Sequence, residues 1–463
     1  MDMTNKLENM DLDREEIRRR RVFRVFALLS YFLAFFYIKR ICLEAGWFQN
    51  WMNAMFVFVI LFICFVEAFC HFTGLTYHKL KEDGCSVWEP VVYFLCLILQ
   101  GIAVLLYGIH DDWTGWQFLM LHFTAIYYVL ARTGSLASGK SGILFLIDCL
   151  QGFITIPWSN IGIRLVSIFK RASSSAESDE DDCDEYEYDE AKEVAKEQLM
   201  KKVATILVTL VLALGICGYA LMELTFASHA FYEFTYRIQV AIEDFFETGI
   251  FDWIYENDEY ILLSIPVGAW LFGLIAGGIK KNRGHLTLKK FEDATISLHL
   301  LPDYSAYIII GSVCALYAFF FATELIFMGA FGLYATQAHE ASVRAVDSFW
   351  ALIRIVLLNF AVVGGSCIVS RKALWENRKT RIFATVLFGF ATAFALLATW
   401  NLCGVYIAKF GLTPRRILSS WVVGNVLLWC ILMLIRLYKR IPAARIGIIT
   451  AAISYSIVVL GDF

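Results

Sequence analysis

The chain has 463 residues, 59% of them hydrophobic and only 18% charged, with a mean hydropathy of +0.61, whereas a soluble domain runs nearer 45–50% apolar and about 25% charged. These values exclude a secreted disulfide scaffold, a nucleic-acid binder and an ordinary soluble enzyme. The net charge of -3 says little, because in a membrane protein the placement of the charges carries the information.

The apolar residues fall in blocks of about 20, the length a helix needs to cross roughly 30 Å of hydrocarbon. The predicted fold is therefore all-α: a polytopic transmembrane helical bundle with spans near 22–40, 52–72, 88–109, 116–132, 203–223, 260–279, 304–328, 346–369, 382–402, 418–437 and 442–461, about eleven in all. The first follows Arg14, Arg18, Arg19, Arg20 and Arg21 and reads as a retained anchor rather than a cleaved leader. Near the end of the second, Glu67 and His71 lie four apart on one helix face, and His122 sits in the fourth. Each is a candidate intramembrane polar group, though a hydrogen-bonded bundle residue is the simpler account than a proton relay. His110, Asp111 and Asp112 form a compact polar cluster between the third and fourth spans, best read as a solvated turn.

After the fourth span, Gly134 to Ser141 reads GSLASGKS, a literal match to the phosphate loop whose amides cradle a nucleotide, with Lys140 and Ser141 in the phosphate and magnesium positions. The run ILFLID ending at Asp148 even imitates a following magnesium-binding strand. Both fail on context: the loop follows a membrane span, and a parallel neighbouring strand needs a crossover of a dozen or more residues. The match is judged fortuitous. The loop is read instead as a flexible Gly/Ser turn with Arg132 and Lys140 near lipid phosphates.

Residues 142–157, GILFLIDCLQGFITIP, carry Asp148 and are too short to cross comfortably. With the amphipathic stretch NIGIRLVSIFK after them, including Arg164 and Lys170, they read as a re-entrant or interfacial pair. Residues 177–190 then hold ten acidic side chains and no basic one; such a run cannot bury enough apolar surface to fold. It divides a bundle over 1–170 from a second over 203–463, with 171–202 as an acidic disordered linker. The sharper reading of the acids is a docking site for a basic protein partner or weak divalent-cation buffering. Phe231, Phe234, Ile238, Ile242 and Phe245 recur at helical spacing and predict an amphipathic helix packed as a lid. Gly268, Gly273, Gly277 and Gly278 with Pro266 mark the sixth span for close helix packing.

Lys and Arg set the orientation. With the N-terminus inside, the inner segments hold 32 of them and the outer segments 7, with Arg354 inside a span completing the 40. The predicted location is a bacterial inner (cell) membrane, multi-pass, N-terminus cytoplasmic and C-terminus outside. Glu324 and Arg354 are the leading candidates for an intramembrane site. At ~1.5 Å per residue they lie about 6 and 12 Å from the outer ends of adjacent antiparallel spans, close enough to predict an ion pair. Asn359, Asn401 and Asn425 are expected to bond between helices.

The segments FFETGIFDWIYENDEYILLSIPVGAWLFGLIAGG and LPDYSAYIIIGSVCALYAFFFATELIFMGAF, then Phe349, Trp350, Leu357, Leu358 and Asn359, then YIAKFGLTPRR, together resemble a bacterial multi-span membrane family catalogued only as a domain of unknown function. The most specific words are Tyr406-Ile407, Gly411-Leu412-Thr413 and Arg416. The resemblance covers about residues 203–440. Where that family tends to carry an arginine pair followed by a glutamate, this chain has Val346, Asp347 and Ala351. The resemblance implies a membrane bundle and no particular activity.

The functional expectation is a protein without covalent chemistry of its own, either a small-solute carrier or an envelope component acting through partners. The alternative is a membrane enzyme acting on lipid-linked substrates, and nucleotide binding through GSLASGKS is remote. Histidines never reach an HxxxH spacing and cysteines never a CxxC, so no metal is expected. The pattern calls for no cofactor, and its partners are the lipid bilayer and no nucleic acid.

Overall fold

A computed structural model describes residues 2–43, 48–109, 114–169, 257–281, 283–296, 308–319, 322, 338–369 and 377–461. The expected span 203–223, the acidic run, the 231–247 helix, the His110–Asp112 turn and Glu324 lie outside them. The chain divides into two units, residues 1–170 with 263–463 and residues 171–262.

Every regular element among the described residues is helical. In chain order they are α1 (Asp2–Tyr37, continuing as a π-turn over Ile38–Leu43), α2 (Phe48–Phe72), α3 (Tyr77–Glu82), α4 (Trp88–Tyr107), α5 (Thr114–Thr133), α6 (Phe145–Leu150, leading into the π-turn Gln151–Thr155), α7 (Ile156–Ser159) and α8 (Ile163–Phe169). There follow α9 (Asp258–Lys280), α10 (Leu288–Ile296), α11 (Ile308–Phe319), α12 (Ala338–Val369), α13 (Arg378–Thr399, with the π-helical Trp400–Ile407), α14 (Pro414–Tyr438) and α15 (Ala443–Val458). Local chemistry sets several ends. The Thr76 and Asn377 side chains accept from Lys79 and Lys379 backbone N–H groups to start α3 and α13, and Gly108, at φ 74°, stops α4.

Among the described residues, seven stretches are long and apolar enough to cross a membrane: 15–43, 52–72, 88–107, 145–169, 258–280, 378–410 and 414–438. Six coincide with predicted spans. Three more predicted spans appear as shorter apolar helices, Ile308–Phe319, Ile353–Ile368 and Ala443–Val458.

The stretch 145–169 has the length of a span but not its path. Its helix breaks over residues 160–162. Phe145 and Phe153 pack on Tyr127 and Phe123 of the second half of α5. By Thr155 and Asn160 the chain is back at the α9–α10 loop, where those side chains donate to the Gly284 and Arg283 carbonyls at 2.7 and 3.0 Å. That same loop end holds the residues just before α6, since Leu288 N–H donates to the Ala137 carbonyl at 2.9 Å. Residues 145–160 thus begin and end at one end of the bundle, a re-entrant path, and beyond them Arg164 of α8 reaches the Ile265 carbonyl further along α9.

Two cores hold the helices. In the first, α1, α2 and α9 meet through Phe26 stacked on Phe69 at 4.6 Å and Phe69 on Phe272 at 5.6 Å, with α4 and α5 packed around them. The second joins α11 to α14 around Tyr317, Val356, Phe388 and Phe394. Helix α15 bridges the halves: Gln100 of α4 donates to Ser456 at 3.1 Å and to Thr124 of α5 at 3.0 Å, while Trp421 of α14 donates to Ser454 at 2.9 Å.

The glycines of α9 serve close approach, as their spacing predicts. A Cβ on Gly273 would stand 2.7 Å from the Pro157 carbonyl oxygen, and one on Gly277 would stand 2.5 Å from Asn160 Nδ2. Their partner is the re-entrant segment. Asn359 accepts from Tyr317 between helices at 2.7 Å, but Asn425 corrects its expectation: it donates to Trp421 of its own helix at 2.8 Å, because the i−4 carbonyl is always within reach of a helical Asn.

Candidate functional site

The loops 73–87, 134–142 and 283–288, with the start of α15, converge on one end of the bundle. Ser86 N–H donates to the Gly139 carbonyl at 2.9 Å, and Lys281 Nζ stands 3.6 Å from Asp83. Three carboxylates organise this end.

Glu67, on the last turns of α2, meets Arg132 at the end of α5, whose Nε lies 3.0 and 2.9 Å from its two oxygens. Tyr128 donates to the same carboxylate at 2.7 Å and Tyr77 at 3.2 Å. The Arg132 guanidinium also lies 4.4 Å above the Tyr77 ring and donates to the Leu75 carbonyl at 3.0 Å. Burial, followed by the Glu67 charge, pushes the Tyr77 phenol up to about 12, so Tyr77 remains a donor. Arg132 is only 2% exposed. This corrects the reading of Arg132 as a lipid-phosphate contact on a flexible turn: the guanidinium is turned inward, held by the Glu67 carboxylate, the Leu75 carbonyl and the Tyr77 ring. Glu67, Ala68, His71, Phe72, Leu75, Thr76, Tyr77 and Arg132 line an open groove of about 460 Å³, and the carboxylate is the partly exposed member of the pair at 32%.

Glu89, in the first turn of α4 and 0% exposed, accepts from Arg445 of α15 and from both the backbone N–H and the hydroxyl of Ser141, at 2.8 and 2.7 Å. Arg445 also donates to Ser86 at 2.8 Å and lies 4.6 Å over the Trp88 ring. Asp148, on α6 and likewise 0% exposed, accepts from the Ala137 N–H at 2.7 Å, Tyr127 at 3.2 Å and Gln151 at 3.0 Å.

The GSLASGKS segment is thus threaded between two of the chain's own carboxylates. Ser135 donates to the Gly278 carbonyl at 3.1 Å and Tyr93 shares a hydrogen with Ser141 at 2.7 Å, while Lys140 is exposed. The expected flexible turn is corrected here as well: Leu136, Ala137 and Ser141 are buried.

Among the other singled-out residues, His122 is pinned between α1 and α5, with Tyr37 at 2.8 Å from Nε2 and the Phe118 carbonyl at 2.7 Å from Nδ1. His71 is exposed and packs against the Phe72 ring at 5.5 Å. Arg354 is exposed on α12. Sequence reasoning passed over Glu89 and Arg445, which lie at opposite ends of the chain, and read Arg164 as an interfacial charge although it is 7% exposed. Among the described residues no group of three or more His, Cys, Asp or Glu side chains is arranged to hold a metal ion.

Long apolar helices packed around two aromatic cores, with charges gathered into buried pairs, define a multi-pass helical membrane protein. The family model described as "Domain of unknown function (DUF4153)" matches residues 94–463, and the chain belongs to that family. The match begins well before residue 203, taking in α4, α5 and the re-entrant segment. No curated protein and no solved structure matches the chain.

Proposed function

We propose that this protein is a non-enzymatic multi-pass component of a bacterial inner membrane, with its N-terminus in the cytoplasm and its C-terminus outside, acting by binding rather than by covalent chemistry. The observation that carries the reading is how the carboxylates at this end of the bundle are used. Glu67 and Glu89 are each taken up by a guanidinium from another helix, and Glu89 and Asp148 hold the amides of Ser141 and Ala137. Carboxylates saturated in this way lock helices and loops together. A general acid or base needs room for a reacting group within hydrogen-bond reach, and a nucleotide needs those loop amides for its phosphates.

The open groove beside Glu67 supports a small-solute carrier as the particular form of binding protein, because it presents a partly exposed carboxylate to a solute. In that reading the Glu67 groove opens on the solute path. The acidic run 177–190 suits a basic protein partner in the cytoplasm. Two measurements test these statements. Lipid and lipid-linked intermediates are compared in cells with and without the chain; accumulation of one defined precursor would refute the non-enzymatic reading. Flux of candidate solutes into proteoliposomes is then compared for wild type and Glu67→Gln, and a carrier loses flux in the variant while retaining its fold.

A further inference from the structure

Arg164 differs from the other buried charges. Arg132 has Glu67, Arg445 has Glu89, and Asp148 has three hydrogen-bond donors, whereas the Arg164 guanidinium is held only by main-chain carbonyls. Its Nε donates to Ala27 of α1 at 3.2 Å and its Nη1 to Ile265 of α9 at 2.9 Å. The nearest ring, Tyr31, lies 5.6 Å away. No carboxylate pairs with it among the described residues, and Nη2 has no acceptor there. The side chain is 7% exposed, and Ile265 is about 22 Å along α9 from Lys280 at ~1.5 Å per residue. A full positive charge at this depth is expensive and ordinarily finds a compensating anion. Carbonyl dipoles orient it without neutralising it.

The surroundings are built to hold it in place. Gly268 of α9 leaves the room: a Cβ there would stand 3.1 Å from Nη1, 3.2 Å from the Ser30 carbonyl oxygen and 3.3 Å from the Ala34 methyl. Arg24 of α1 reaches the Ser167 carbonyl at 3.5 Å and seats α8 against α1. Leu165, next to Arg164, and Leu28, next to Ala27, are exposed and apolar, at 59% and 48%. The exposed surface of α1 and α8 flanking the guanidinium is therefore an apolar rim.

We propose that Arg164, with Gly268 as the residue that makes space for it, forms an intramembrane oxyanion site between α1, α8 and α9 that takes a phosphate group. A guanidinium matches phosphate geometry with paired N–H donors, and the apolar rim fits a phosphate carried on a lipid better than a free one. The proposal does not depend on the protein being non-enzymatic, since it concerns a bound group and no reaction.

The test uses the full chain in dodecyl maltoside micelles, which contain no phosphate, with the apparent unfolding midpoint followed as phosphatidylglycerol is raised in one series and inorganic phosphate in another. Wild type gains a saturable upward shift. Arg164→Gln raises the half-saturating concentration at least tenfold, the least expected when a charge-assisted bond is lost. In dodecyl maltoside alone its midpoint equals or exceeds wild type, because an uncompensated charge has gone. Arg164→Lys falls between, and Lys379→Gln, exposed on α13, changes the titration less than twofold. A response to phosphatidylglycerol alone assigns the group to a lipid; a response to inorganic phosphate as well assigns a soluble oxyanion.

A purely structural Arg164 would give the opposite pattern, a lower midpoint for Arg164→Gln in every condition with the titration unchanged, and that result overturns the proposal. If Arg164→Gln does not fold, Gly268→Ala keeps the charge but displaces Nη1. An unaltered titration in a folded Gly268→Ala protein overturns the proposal equally.

Discussion

Replacing Arg445 by Leu should be among the most damaging single changes in the chain. Glu89 is 0% exposed, and among the described residues Arg445 supplies its only cation while Ser141 supplies two further donors. Removing the guanidinium strands a buried carboxylate, which typically costs about 3–5 kcal/mol. Glu89→Gln removes the charge from the other side. It keeps an acceptor for Ser141 and leaves Arg445, 21% exposed, able to turn towards water, so about 1–3 kcal/mol is expected. The double variant Glu89→Gln with Arg445→Leu buries no charge and should cost less than the sum of the two, with a coupling of about 0.5–3 kcal/mol. Unfolding of such proteins is commonly irreversible, so the assay is the apparent midpoint in one detergent at one scan rate. At no more than about 2–4 °C per kcal/mol for a chain this long, Arg445→Leu should fall by on the order of 5–10 °C. Additive losses, or an Arg445→Leu midpoint within about 1 °C of wild type, would refute the argument that this pair locks α4 to α15.

Three further outcomes follow from other positions. Gly273→Val would drive a side chain into the Pro157 carbonyl, which cannot rotate away, and should cost about 1–3 kcal/mol; Gly365→Ala, with open space around it, is the control in the same thermal assay. His285 is buried and its Nε2–H donates to the Gly277 carbonyl at 3.1 Å. Burial holds its imidazole below the usual range, the Gly277 bond opposes this, and Lys281 and Lys290 push it lower again. A depressed base is more protonated when unfolded, so its stability contribution is full above about pH 6.5 and is lost as pH falls below that. Thermal midpoints of wild type between pH 7.5 and 5.5 should therefore drop more than those of His285→Gln, and equal slopes would remove His285 from the account. For Glu324 and Arg354, an ion pair predicts that Glu324→Gln, Arg354→Leu and their combination are non-additive in detergent stability.

Much of the architecture was legible because its signal is local. A span announces itself in about 20 consecutive residues, and the glycines of α9 announce close packing without naming the partner. The re-entrant segment was legible from its shortness and from Asp148. The polar site was legible only in half-pairs. Glu67 stood out because it lies inside a span, but Arg132 sits at a span's edge, where a basic residue is ordinary, and nothing in the sequence tells that it turns inward. Glu89 is an edge residue for the same reason, and its partner lies 356 residues away. Arg164 belonged to an amphipathic pattern that suggested a surface. Its burial comes from α1 and α9 closing over it, which no local periodicity encodes.

The bond between Glu89 and Arg445 also has a meaning in time. The ribosome adds about 5–20 residues per second, so the 356 residues between them take roughly 20–70 s to synthesise. Throughout that interval α4 waits in the membrane with its carboxylate unmatched, and only the arrival of α15 completes the bundle end. A chain that ends before Arg445 leaves Glu89 with the Ser141 donors and without that guanidinium.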